Sequence, residues 1–131
     1  MSNYTIKNLR EVDDAAAGRD LSQVQEARFA MGALDAEATG LCLQRVKPGK
    51  RQAFAHRHDQ AEEVYVVLAG RGRVKLDDEV REVGPMDAIR VAPRVVRAFE
   101  ASDEGLEILV FGPHHPKDGE IVQDDVWTGH A

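Results

Sequence analysis

From about residue 38 onward, short runs of Val, Ile, Leu and Phe alternate with Gly, Pro or Asp. That rhythm predicts an all-β sandwich or barrel rather than helices. Strands are expected near 27–31, 39–47, 52–57, 62–69, 72–77, 79–83, 87–91, 95–101 and 106–112. In the last of these, Leu106, Ile108 and Val110 share one face while Leu109 and Phe111 share the other, so the strand should be covered on both sides. The stretch "LDDE" at 76–79 sits between "GRVK" and "VREV", which predicts a tight hairpin turning at Asp77 and Asp78.

The ends of the chain do not follow this rhythm. "EVDDAAAGRDLSQVQEA" is charged and alanine-rich with a central glycine, and supports at most a short helix beginning after Asp14, or a loop pinned across the β body. The C-terminal "GPHHPKDGEIVQDDVWTGHA" has too few apolar residues for a domain, but Ile121, Val122, Val126 and Trp127 can anchor it against the body or a second subunit.

At 131 residues the chain can bury one core and is too short for two ordinary ones. Its 17 basic and 23 acidic residues give a net charge of −6 with no basic block, which argues against a nucleic-acid partner. The longest apolar run, "VYVVLA", is far below the roughly 20 residues that cross a bilayer. The polar start "MSNYTIKNLREVDD" lacks a signal-peptide core, so no membrane partner and a cytoplasmic location are expected. Cys42 is the only cysteine and reads as a small packing residue.

Candidate chemistry is concentrated in "AFAHRHDQAEEVYVVLAG", residues 53–70. On a strand, residues two apart point the same way about 6.6 Å apart, so His56 and His58 can converge on one ion while Arg57 points away. Phe54 shares their face as an apolar wall. Parity leaves open whether Glu62 or Glu63 joins them, since both faces of "EEVYVVLAG" are apolar. Either carboxylate would complete a two-histidine, one-carboxylate set suited to iron, manganese, nickel or zinc, with open positions for water or substrate. His114 and His115, in the Pro-flanked "GPHHPKDG", are expected to be solvated surface, with a place at the barrel rim as the other reading; His130 is expected at a frayed terminus.

The stretch from Gly49 to Gly70 resembles the first motif of the cupins, G(x)5HxH(x)3–4E(x)6G. Six residues separate Gly49 from His56, four separate His58 from Glu63, and six separate Glu63 from Gly70. The count differs from the pattern by one residue at the start and selects Glu63. A degenerate second motif is similar to "GPMDAIRVAPRVVRAFEA" at 84–101, where Pro93 fits, Val95 stands for the usual glycine, and Arg97 occupies the position of the last histidine. This resemblance implies a double-stranded β-helix, a small jelly-roll-like barrel, often dimeric, with its site inside. It divides the chain into an N-terminal extension packed on the barrel at 1–37, a barrel core at 38–112 and a tail at 113–131, together one domain.

Cupin metals are typically held by three histidines and a glutamate, so the resemblance implies His56, His58 and Glu63 as ligands facing a guanidinium. Arginine has no lone pair to offer. Its charge about 5 Å from a divalent ion would repel it by about 2 kcal/mol at a water-like dielectric, and by about 7 kcal/mol at an effective dielectric of about 20. Without an ion, Arg97 can neutralise Glu63. The function taken forward is therefore a homodimeric binding module for a small polar or anionic molecule, with Arg97, Phe54, Tyr65 and Phe99 around the ligand and no complete metal site. The alternative is a metal-dependent oxygenase or isomerase carrying one divalent iron, manganese, nickel or zinc ion, with Arg97 anchoring an anionic substrate. In a third reading the Glu63–Arg97 pair is only a structural ion pair.

Overall fold

Three glycines shape the body. Gly70 and Gly105 have φ of +81° and +80°, and a Cβ on Gly70 would stand 2.0 Å from the Gly105 carbonyl oxygen. A Cβ on Gly72 would likewise stand 2.0 Å from the Glu100 carbonyl oxygen. Two backbones thus cross in contact here, which only residues without a side chain permit.

The computed structural model describes residues 3–123 and 125–129. Among them are eight strands: β1 (Gln25–Phe29), β2 (Thr39–Val46), β3 (Ala55–His58), β4 (Glu63–Leu76), β5 (Glu79–Val83), β6 (Ala88–Val91), β7 (Arg97–Pro113) and β8 (Gly119–Val122). All pairings are antiparallel. The first half of β4 pairs with β6 and the second half of β7, which in turn pairs with β2 and then β1. The second half of β4 pairs with β5 and the first half of β7, which meets β3 and then β8. One curled sheet therefore makes two five-stranded faces, with β4 and β7 passing from one to the other at the glycine crossing, where the register shifts. Between the faces lie Val46, Tyr65, Val67, Val74, Phe99, Leu106 and Ile108, all buried. This is the double-stranded β-helix expected from the sequence.

Several expectations change. The strands expected at 62–69 and 72–77 are one strand, as are those at 95–101 and 106–112, because glycine here bends a strand instead of ending it. The 52–57 strand starts only at Ala55, with Arg51 making an isolated bridge to Glu100. β8 was not expected at all. The second face of 106–112 is not fully covered: Leu109 is half-buried and Phe111 is 37% exposed. The hairpin is as expected, with Asp77 left-handed at φ 51° between the paired Leu76 and Glu79.

The N-terminal segment is a pinned loop with two short 3-10 turns, Leu9–Glu11 and Ala17–Arg19, in place of an α-helix. Asp14 Oδ1 accepts from the Ala16 and Ala27 amides, tying the segment to β1, and Arg10 grips Glu107 through both terminal nitrogens at 2.8 and 2.9 Å. At the other end Trp127 is buried against Ala55 and Ala98, with Val122 and Val126 packed beside them. Ile121 does not anchor the tail as expected; it is 43% exposed because strand alternation turns it to the opposite side from Val122. His130 lies outside the described residues. No helix is long and apolar enough to cross a membrane, among the described residues.

Candidate functional site

The pairing of β3 with β7 sets His56 directly opposite Arg97. Glu63 opens β4, two residues before the fully buried Tyr65. These elements bring four groups to a single carboxylate oxygen. His56 Nε2 lies 3.4 Å and His58 Nε2 3.2 Å from Glu63 Oε1, the Tyr65 hydroxyl donates to that oxygen at 2.7 Å, and Arg97 Nη2 stands 3.7 Å away. Burial alone would raise the Glu63 pKa, yet the bonds from His56, His58 and Tyr65 hold it well below the ordinary carboxylate range. Burial pushes the Tyr65 phenol well above its ordinary value, so it remains a donor.

Arg97 is completely buried. Its Nη1 and Nη2 donate to the carbonyl oxygens of Pro93 and Ala92 at 3.2 and 3.4 Å, while Nε is buried without a hydrogen-bond partner among the described residues. The Pro93 carbonyl also accepts from the His58 amide at 2.7 Å, so one turn holds both the guanidinium and the histidine strand.

A further residue escaped the sequence reading. Asp118, immediately before β8, is 8% exposed and places Oδ2 3.1 Å from His58 Nδ1. The amides of Gln60 and Ala61 donate to its two oxygens at 2.8 and 2.9 Å. Burial would raise its pKa, but these amides and His58 together lower it. His58 therefore lies between two carboxylates, and the bond to Glu63 first, then its charge and Asp118, raise its pKa against the effects of burial and Arg97. Asp118 fixes the orientation of the ring, as a carboxylate commonly does for a liganding histidine. In "PKDGE" it reads as an ordinary charged turn, and its partner lies 60 residues away.

The site forms the floor of a cavity of about 650 Å³. Phe54 lines it as expected, with Leu21, Ala27 and Val110 among its walls and His114 and His115 at the rim. Glu62, the other carboxylate the parity argument left open, lies outside and pairs with Arg90 on the surface. Tyr65 and Phe99 do not face the cavity: both are fully buried, their rings 5.1 Å apart, and back the site from within the core. Arg97 likewise has no exposed surface.

The residues meet half of the requirement for a metal. The donor atoms of His56, His58 and Glu63 all lie within 4.8 Å of one another. Their shortest approaches match the roughly 3.0–3.4 Å between neighbouring donors around an ion bonded at about 2.1 Å. The three-donor set fits; the four-donor set implied by the resemblance does not, because its last member is a guanidinium.

Comparisons with known proteins agree with this architecture. A family model described as a cupin domain matches residues 42–112. An uncharacterised protein of Methanocaldococcus jannaschii, MJ1618, is 32% identical over 81 residues, which cover 60% of this chain and 65% of that protein, just under two thirds of its length. A cupin protein from Bacteroides fragilis superposes with a TM-score of 0.70 at 22% identity, covering 89% of both chains. A polyketide cyclase from Streptomyces resistomycificus superposes at 0.74 with 19% identity, covering 92% of this chain and 87% of its own. At such identities the two structures speak for the fold alone. With the HxH and glutamate on β3 and β4, the two-faced barrel and the family match over more than half its length, the chain belongs to the cupins.

Proposed function

We propose that this cupin binds a small molecule in its barrel cavity without a metal ion, and that Arg97 stands permanently where a fourth ligand would be. The observation that carries this reading is the burial of Arg97, 0% exposed, with its guanidinium 3.7 Å from Glu63. Such a cation cannot leave for solvent without opening the core, and it supplies the positive charge that Glu63 requires. His56, His58 and Glu63 then serve as a fixed hydrogen-bonding floor instead of a coordination shell. The test is elemental analysis of the native protein and of Arg97→His. An empty wild type beside a variant that takes up iron, manganese, nickel or zinc supports the proposal; near-stoichiometric metal in the wild type sinks it.

The spacing of the three donors favours a second reading, in which a divalent ion sits on His56, His58 and Glu63 and the protein is a metal-dependent enzyme of the oxygenase or isomerase kind. The same analysis separates the two. We also expect a homodimer, for which the exposure of Tyr4 at 75%, Ile6 at 85% and Met86 at 77% is the support. Light scattering on the eluted protein should give twice the 14.5 kDa of one chain.

A further inference from the structure

The cavity wall shows which molecules the floor can accept. Among the described residues that line it, none is lysine or arginine. Its carboxylates are Glu63, Asp118 and Glu120, and it carries four imidazoles, His56, His58, His114 and His115. Asp118 is occupied by two amides and His58, and Glu120 by Arg57 at 3.1 Å. His58 has both ring nitrogens on carboxylates, so even when protonated its N–H groups are taken. Arg97 compensates Glu63 from behind, without surface of its own. An anion entering here would lose its hydration with no lysine or arginine to replace it.

The amides point the same way. The Ala53 amide donates to Gln25 Oε1 at 2.8 Å, the Phe99 amide to Gln52 Oε1 at 3.0 Å, and Gln52 Nε2 to Gln44 Oε1 at 3.1 Å. The three glutamines of the wall are thus largely committed to the protein. Apart from His56, His114 and His115, the remaining side chains of the wall are apolar. Phe29, Phe111 and Ile121 line the cavity while 61%, 37% and 43% exposed, an arrangement that a bound hydrophobic body would cover. Among the described residues, the hydrogen bonds and ion pairs to Glu63 fall on Oε1, which leaves Oε2 as an acceptor for a donor on the ligand.

Building on the binding function proposed above, we infer that the ligand is an uncharged, largely apolar ring compound that presents a hydroxyl to Glu63, and that carboxylates and phosphates are rejected. The volume of about 650 Å³ lies within the range of ordinary small-molecule sites and admits two or three fused rings.

Calorimetric titration at neutral pH with a matched set, α-naphthol, α-naphthoate and α-naphthyl phosphate, tests this, because the three share a ring system and differ in the polar group. The expected result is saturable binding of naphthol, with both anions weaker by about tenfold or more. Ile121→Ser, at an exposed wall position, should weaken naphthol about fivefold through lost apolar contact while the fold survives. Anions that bind as tightly as naphthol would overturn the inference and leave barrel binding standing, as would naphthol binding untouched by Ile121→Ser. If no member of the set binds at about 1 mM, the inference falls, while the metal-free reading of the site is still decided by the elemental analysis.

Discussion

Single side chains in this protein act through what surrounds them. Cys42 lines the cavity yet is only 4% exposed, and burial pushes its thiol pKa up to about 12. Near pH 8 it should be alkylated on the order of a thousandfold more slowly in the folded protein than in urea, a ratio that iodoacetamide labelling measures directly. Because the folded value is raised, the stability it contributes is complete below the ordinary thiol range and is lost as pH climbs from there toward 12. The reading of Cys42 as a packing residue was available from its apolar neighbours. His56, His58 and Glu63 were equally legible, since their relation is one of local spacing on β3 and β4. The sealing of Arg97 was not legible: it depends on the Ala92 and Pro93 carbonyls that receive the guanidinium, and no count along the sequence says whether a long side chain turns inward or out.

At the level of elements, the C-terminal tail is held by a charge-and-ring clasp. The guanidinium carbons of Arg51 and Arg73 lie 4.9 and 5.5 Å from the Trp127 ring centroid, and Glu100 on β7 pairs with both arginines at 2.5 and 2.7 Å. Burial works against the charged form of Glu100, but the bonds from Arg51 and Arg73 lower its pKa on balance. A lowered carboxylate stabilises the fold above its ordinary range, and that contribution is lost as pH falls through the lowered value. Wild type should therefore exceed Glu100→Gln in melting temperature at pH 7, by a few degrees at most for so accessible a group, with the gap closing below about pH 4. A gap independent of pH would show that the clasp works through packing alone. Strand β8, which precedes the clasp, was invisible to periodicity. "GEIV" is too short and too charged at its start to announce a strand, and it becomes one only through pairing with β3. With it came Asp118, and for the same reason.

For the whole molecule, the alternation of apolar runs and breakers gave the all-β class, and the motif spacing gave the barrel. What neither conveyed was continuity: Gly70 and Gly105 look like strand ends and are bends within β4 and β7. Each of those strands belongs to both faces, so neither face can separate without breaking the other. Amide hydrogen exchange should accordingly find one cooperative unit, with the slowest amides spread over both halves of β4 and β7 at a common opening free energy. Two distinct free energies for the two halves would refute this. The cavity is lined in part by the outermost pieces, Ala15, Ala16 and Leu21 of the pinned loop and Gly119 and Ile121 of β8. These margins can fray while the crossed strands stay shut, so the cavity should open to solvent at a rate unrelated to that of unfolding.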